Sequence, residues 1–412
     1  MTQAMLPLDH TLEFVPGSDR GFFDALPTCP AVYRIELRSS GAPPYLCRTA
    51  DLRRSCLRVL AQPDSPAQPR EDPAAPPGGM PPAQMRQARR PRLNLRDVAA
   101  RVRYRLTGSP FEQSLAVYQQ ARELFPQRYR ERLRLAPPAL LKINFANEYP
   151  RCYVTRQLSP DGAFYFGPFP SRRAAEEFSK EFLPLFKIRR CHIKIRRDPA
   201  FPGCIYSEMK MCLAPCYAGC TKPEYDAEVL RARDFLASRG GSLVAEIEIQ
   251  RDRATAAEDF EHAAAVHKKF DKVGAVIKRL PELPRRIDRL DAVILQPAVA
   301  SGAVAAFRVT AGTIVDPFFV SFAELSSLPR SVESILRDYL ESETAPPDSA
   351  GVLADHLSLL ARWFYAKPRQ GEIFFREGAP GGGWPYRRII RACARVLGSQ
   401  TLLPQGKAGE PG

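Results

Sequence analysis

The sequence predicts an α+β chain of several domains, and three observations carry that reading. Short alternating stretches near the N-terminus, in the middle and after residue 283 each lead into helical stretches. The run from Pro223 to Arg279 has helical character throughout. Before it lies a window, Tyr165–Cys220, which opens on an aromatic, Gly- and Pro-bearing segment and holds Cys191, Cys204, Cys212, Cys216 and Cys220, five of the ten cysteines. At 412 residues and 45% apolar content, the chain can fill about two to four cores.

Net charge of +15 and a pI near 9.5 point toward a polyanionic partner, most commonly nucleic acid. No apolar stretch is long enough to span a membrane. Met1–Asp9 lacks the basic start and apolar run of a secretory signal, so the cytoplasm is the expected compartment.

Residues 1–135 read as a first domain. Ala31–Leu37 alternates as a strand, Ser39–Pro44 is a turn, and Tyr45–Cys47 is a second short strand. Asp51 is placed to cap a helix over Leu52–Leu60. Residues 61–93 are Pro-rich and aperiodic, which predicts a disordered insertion within this domain. In Val98–Thr107, Val102, Tyr104 and Leu106 share one face, while Arg101, Arg103 and Arg105 give the other a basic character. Ser109 then opens a helix over Phe111–Phe125, on which Glu112 and Glu123 are expected as solvated charges.

Residues 136–225 predict a small sheet, one helix and the cysteine loops. The strands are Leu141–Phe145, Arg151–Arg156 and, after an Asp161-Gly162 turn, Ala163–Phe166. The helix is Ser171–Phe186. Three readings compete for the cysteines. Disulfides need an oxidising compartment. Buried thiols pack as small hydrophobes. Thiolates are soft donors, and four of them complete a zinc or iron–sulfur site. The spacing is wider than the paired Cys-x-x-Cys of a zinc ribbon. Arg189, Arg190, Lys194, Arg196 and Arg197 are neighbours that favour thiolate over thiol.

Residues 226–282 read as helical, with one helix over Glu224–Ser238. Leu243–Lys278 forms one or two more, with a bend between Arg253 and Glu258. Residues 283–412 change character again. Strands are expected at Asp291–Leu295, Ala303–Val309, Thr313–Phe319 and Gly371–Arg376. Helices are expected at Ser331–Leu340, Gly351–Tyr365 and Trp384–Leu397, with a linker over Glu341–Ala350 and a disordered last dozen residues.

A family resemblance enters at the cysteines. Tyr165-Phe166-Gly167-Pro168-Phe169, Ile188-Arg189-Arg190-Cys191, Gly203-Cys204-Ile205-Tyr206 and Cys212-Leu213-Ala214-Pro215-Cys216 follow one another. In order and spacing they resemble the cysteine-rich region of the UvrC family, the incision component of bacterial nucleotide excision repair. Gly203 stands where that family has Pro. The resemblance implies a [4Fe–4S] cluster, with zinc as the alternative, on Cys191, Cys204, Cys212 and Cys216. Cys220 lies outside the pattern.

Pro30-Ala31-Val32-Tyr33 and Tyr45-Leu46-Cys47-Arg48 are similar to the two signature strands of a GIY-YIG nuclease domain. The resemblance implies a small GIY-YIG-like α/β domain in which Tyr33, Tyr45 and Arg48 are the remnant of the catalytic site. Ala31 and Cys47 replace glycines, and Arg48 replaces a lysine. The family arginine falls on Ser55. The family glutamate that holds Mg²⁺ falls on Val117 or Tyr118, neither of which binds a hard cation. Mg²⁺ is therefore implied only if the nuclease is active.

Ala256–His267 resembles the UVR motif, which implies a helical hairpin whose Phe260, Ala263 and Ala264 meet UvrB, the partner excinuclease component. His262 and His267 read as surface residues. The region after residue 283 resembles the family's connector, and no counterpart of its C-terminal RNase H-like nuclease follows, so a short form is expected. Two functions remain in play. One is a UvrC-like repair protein that binds DNA and UvrB, its nuclease degenerate. The alternative is a non-catalytic iron–sulfur or zinc DNA-binding adaptor. Retention of Tyr33 and Tyr45 favours a nuclease, whereas Ser55 and Val117/Tyr118 count against one.

Overall fold

The computed structural model describes residues 6–17, 19–39, 41–61, 93–315, 317–322, 330–343, 349–377 and 382–400. The expected disorder of the Pro-rich insertion and of the last dozen residues lies outside the described residues, apart from Ala61 and Leu93 at the insertion's edges. The chain forms two compact units, one built on residues up to Tyr129, the other on Arg130–Gln296 with Val304–Val396.

The first unit is an antiparallel sheet between helices. Its elements are β1 (His10–Glu13), α1 (Asp19–Ala25), β2 (Ala31–Leu37), β3 (Tyr45–Thr49), α2 (Leu52–Leu60), β4 (Ala99–Leu106) and α3 (Pro110–Leu124). The strand order is β1-β4-β2-β3, with Tyr33 opposite both Cys47 and Tyr104. Side chains alternate across a strand, so Tyr33, Ile35, Val102 and Tyr104 share a face. That face packs on Phe22, Phe23, Leu26, Leu52, Cys56 and Val59 of α1, α2 and their flanks. The other face meets α3, where Arg34 reaches Gln120 and Arg48 reaches Ser114. Both long helices start on capping side chains. The Arg54 N–H donates to the Asp51 carboxylate at 2.9 Å, and the Glu112 N–H donates to Ser109 at 3.1 Å.

The basic face expected on β4 is not free. Arg101 pairs with Glu36, Arg103 lies 3.9 Å from the same carboxylate, and Arg105 lies 3.5 Å from both Asp9 and Glu112. The acids sit on other elements, which one strand's pattern cannot reveal.

A short α4 (Tyr129–Leu133) follows α3 in sequence. The second unit begins with β5 (Ala139–Ile143), β6 (Cys152–Thr155), β7 (Phe164–Phe169) and α5 (Arg172–Phe182). β5 ends two residues before the expected point because Asn144 closes a turn, accepting from the Ala146 N–H at 3.0 Å. β7 runs through the Tyr-Phe-Gly-Pro-Phe segment and is buried along its whole length. Gly167 is needed there: a Cβ would stand 2.6 Å from the Leu140 side chain. Beyond the short α6 (Ile205–Glu208) come α7 (Lys222–Ala237), α8 (Gly241–Ala256), α9 (Phe260–Arg279) and β8 (Arg285–Arg286), the last completing a sheet of order β6-β5-β7-β8. Phe166, Phe178, Phe182, Tyr225, Phe235 and Val273 belong to one core, so the sheet and the long helices are a single packed body.

The rest of this unit holds β9 (Ala292–Pro297), β10 (Ala303–Thr310), β11 (Thr313–Ile314), β12 (Phe318–Ser321), α10 (Val332–Glu341), α11 (Ala350–Phe364), β13 (Glu372–Phe375) and α12 (Tyr386–Gln400). The sheet order is β11-β10-β9-β13, with β12 also on β10. The single strand expected over Thr313–Phe319 is two. Among the described residues no helix is long and apolar enough to cross a membrane.

Candidate functional site

Three groups of residues carry chemistry, and each is built differently. In the first unit, adjacent strands bring Tyr33 and Tyr45 together with ring centroids 6.2 Å apart. Tyr33 is 0% exposed, and its hydroxyl lies 2.8 Å from Ser55 Oγ on α2. Burial pushes the Tyr33 hydroxyl far above the usual phenol range and raises that of Tyr45 as well. Arg48 is not with them. It lies one residue out of phase, on the opposite face, where it donates to Ser114 at 3.1 Å.

Val117 and Tyr118 are buried in α3, as is Glu112 at 0% exposure. Glu112 is therefore not a solvated charge. It accepts from the Gly108 N–H at 2.9 Å and lies 3.5 Å from Arg105, and burial raises its carboxyl pKa. Arg105 pairs with Val32 across β2, on the face away from Tyr33. Glu123 is exposed. The sequence reading missed Arg58, whose guanidinium comes within 3.5 Å of Ser55 Oγ. It is three residues after Ser55, and that helical spacing was the available signal.

In the second unit the residues from Ile188 to Cys220 form loops with little regular structure. None of the ten cysteines forms a disulfide. Cys216 and Cys220 are buried, while Cys191, Cys204 and Cys212 are half-buried. Burial pushes the Cys212 thiol up to about 11, with Cys191, Cys216 and Cys204 adding to the rise. Burial also raises Cys216, with Cys204 and Cys191 contributing. For Cys212 and Cys216, burial thus acts against the thiolate that basic neighbours would favour. Arg189 instead anchors the loops, donating to the carbonyls of Tyr149 at 2.8 Å and Ile193 at 2.7 Å. Cys220 differs from the four: after burial its main influences are Glu224, Arg197 and Cys216.

By donor chemistry, though not by metal-holding geometry, the four cysteines match a group bound by four thiolates. Cys191, Cys204, Cys212 and Cys216 are close enough to influence one another, and the Ala214 N–H already donates to Cys212 Sγ at 3.3 Å. Arg190 has its Nε and one terminal nitrogen buried without an acceptor, in the field of Cys212 and Tyr206. A buried unpaired cation calls for a nearby negative charge. Among the described residues, no three His, Cys, Asp or Glu side chains stand at metal-holding geometry.

The third group is the α8–α9 hairpin. Its break falls at Ala257–Asp259, where Glu258 has φ of 52° and Asp259 caps α9 by accepting from the His262 N–H at 2.9 Å. α9 buries Val266, Val273 and Val276. Phe260 is 81% exposed, Ala264 is exposed and Ala263 half-exposed. His262 and His267 are both exposed.

Residues 139–235 match the family profile "UvrC/Cho excinuclease, middle domain". The middle of the chain is UvrC-like. The UvrC-like stretch takes in β5, β6 and β7 of the second unit, the cysteine loops and most of α7. Among similar proteins, the UvrABC system protein C of Oleidesulfovibrio alaskensis is 29% identical over 48% of this chain and 29% of its own. That of Ruminiclostridium cellulolyticum is 32% identical over 32% of this chain and 22% of its own. That of Moorella thermoacetica is 27% identical over 66% of this chain and 44% of its own. The chain thus covers less than half the length of these relatives. No solved structure matches.

Proposed function

We propose that this chain is a UvrC-type protein of nucleotide excision repair, which binds DNA and docks UvrB but does not cut DNA through its first unit. The match of residues 139–235 to the UvrC/Cho middle domain carries the reading, because that stretch contains all four cysteines, whose spacing is close to the family's. Cys191, Cys204, Cys212 and Cys216 would hold a [4Fe–4S] cluster; zinc on the same thiolates is the alternative. Such a group supplies a cross-link between loops that have little regular structure of their own. Arg190 would balance its charge, and the Ala214 N–H would hold the Cys212 sulfur.

Docking falls to Phe260, Ala263 and Ala264. An exposed aromatic supplies an anchor, and small residues beside it let a partner helix approach. The nuclease reading weakens on three counts. The tyrosine hydroxyl is sealed and tied to Ser55. A phenol held above its usual pKa is a poor base near neutrality. The buried Glu112 lies across the sheet from the tyrosines, so no carboxylate at that position would hold Mg²⁺ beside them.

Co-elution with purified UvrB tests the proposal. Phe260→Ala should weaken the complex at least about tenfold, as loss of an interface aromatic does, with an unchanged melting temperature because Phe260 packs on little at home. Equal binding by wild type and variant would remove the hairpin from the interface.

A further inference from the structure

The second unit contains a cavity of about 870 Å³ that none of the three groups above uses. Arginines reach it from four segments: Arg239 between α7 and α8, Arg285, Arg286 and Arg289 at and after β8, Arg376 after β13, and Arg388 of α12. Three carboxylates also line it, Asp234, Glu282 and Glu377. Two are already paired, one of them within the lining. Asp234 pairs with Arg233 at 2.7 Å, and Glu377 pairs with Arg388 at 2.7 Å. Arg286 is itself held by Asp288 at 2.5 Å. Arg239, Arg285, Arg289 and Arg376 therefore face one uncommitted acid, Glu282.

Two of these cations are fixed without being neutralised. Arg239 donates to the carbonyls of Pro284 at 2.5 Å and Pro281 at 3.0 Å. Arg285 donates to the carbonyls of Glu282 at 2.6 Å and Leu283 at 3.2 Å, with its guanidinium 3.3 Å from the Phe375 ring centroid. A guanidinium laid flat on a ring keeps its N–H edge available for an oxyanion. No nitrogen of either arginine is buried without a partner, so the remaining donors stay open to solvent. Burial lowers the pKa of both, that of Arg285 to about 9, and the charge of Arg239 adds to the effect on Arg285. Arg289 and Arg376 are exposed at the rim; Arg376 donates to the Gly382 carbonyl at 2.7 Å, and Arg289 has no partner among the described residues.

We propose that this pocket holds the phosphates of a nucleic-acid strand. Four unneutralised guanidiniums, two of them preset by carbonyls and an aromatic ring, provide for more than one phosphate. The net charge of +15 suits a polymer better than a single small anion. The inference rests on the DNA-binding reading above and assigns it a place.

The test uses the full chain, a fluorescently labelled oligothymidylate, and binding measured across salt concentrations. Arg289→Ala and the Arg289→Ala/Arg376→Ala pair change exposed side chains, so the fold is not at stake. Each lost phosphate contact should reduce the slope of log affinity against log salt by about 0.7, and the pair should bind about tenfold more weakly at low salt. Wild-type binding with the same slope and affinity in both variants would overturn the pocket and leave DNA binding intact. A wild type that ignores the strand but is stabilised against heat by inorganic pyrophosphate would overturn the polymer as ligand. A wild type that binds neither would overturn both this inference and the reading beneath it.

Discussion

The tyrosine pair and the cysteine loops are treated in opposite ways. In the first unit Tyr33 sits on a central strand, 0% exposed, its hydroxyl 2.8 Å from Ser55. In the second unit Cys191, Cys204 and Cys212 stay half-buried in loops, beside a guanidinium with buried, unpaired nitrogens. Packing and a satisfied hydrogen bond remove a group from chemistry, since exposing it again costs both. A buried guanidinium with unpartnered nitrogens leaves donors for a negative ligand. The contrast teaches how packing closes one chemistry-bearing region and leaves the other partly open.

The largest effect expected from this contrast is on metal content. Protein purified without oxygen should carry about four irons per chain and visible absorbance, as a Cys₄ cubane would. Cys212→Ser or Cys216→Ser should lose the metal. Cys220→Ser should keep it, because that thiol belongs to the core with Tyr225 and Val229 rather than to the four. Colourless protein with one zinc would retain the four ligands and replace the cluster. Metal loss in Cys220→Ser alone would break the contrast, because a packed thiol would then be a ligand.

Glu112 gives a smaller effect and probes the sealed unit. Glu112→Ala strands the Gly108 N–H and weakens the hold on Arg105, at a cost of about 2–3 kcal/mol. Glu112→Gln separates charge from hydrogen bonding. Burial raises the native carboxyl pKa above its ordinary value of 4.5, so the folded state binds that proton more tightly than the unfolded state. Stability from this group is then greatest below the ordinary value and falls as pH rises through the window above it. Denaturant melts of wild type and Glu112→Gln should therefore diverge with pH, the wild type gaining relative to the variant as pH drops toward 4.5. The opposite trend would mean that Arg105 outweighs burial.

Local pattern made much of the fold legible. The α2 helix over Leu52–Leu60 with its Asp51 cap, the β4 alternation and the α11 helix all announce themselves through side-chain chemistry and period. What the pattern could not show depends on distant partners. The burial of Glu112 and the neutralisation of Arg101, Arg103 and Arg105 come from acids and strands elsewhere in the unit. Arg48 is a case where period alone was sufficient: two tyrosines matched motif positions, but the arginine three residues after Tyr45 had to fall on the other face. The cysteine spacing was legible because all four residues lie in one short segment. The arginine cavity was not, since its lining comes from segments between residues 234 and 388.

Tyr33→Phe has the smallest expected effect and tests the contrast at its sharpest point. The variant keeps the ring, so the core around Ile35, Leu52 and Cys56 stays filled. It removes one buried hydroxyl pair and leaves Ser55 Oγ with Arg58 at 3.5 Å as its remaining side-chain neighbour. Loss of such a bond costs about 1 kcal/mol, and a cycle with Ser55→Ala should return a coupling of about 0.5 kcal/mol or more. Nicking of damaged duplex with Mg²⁺ or Mn²⁺ should be at background in wild type and variant alike. If the hydroxyl is instead a catalytic group, the two readouts part in the other direction. Stability would be unchanged, and metal-dependent nicking by the wild type would vanish in Tyr33→Phe. The tyrosine would then have to leave the interior during the reaction, and the first unit would be as poised as the second.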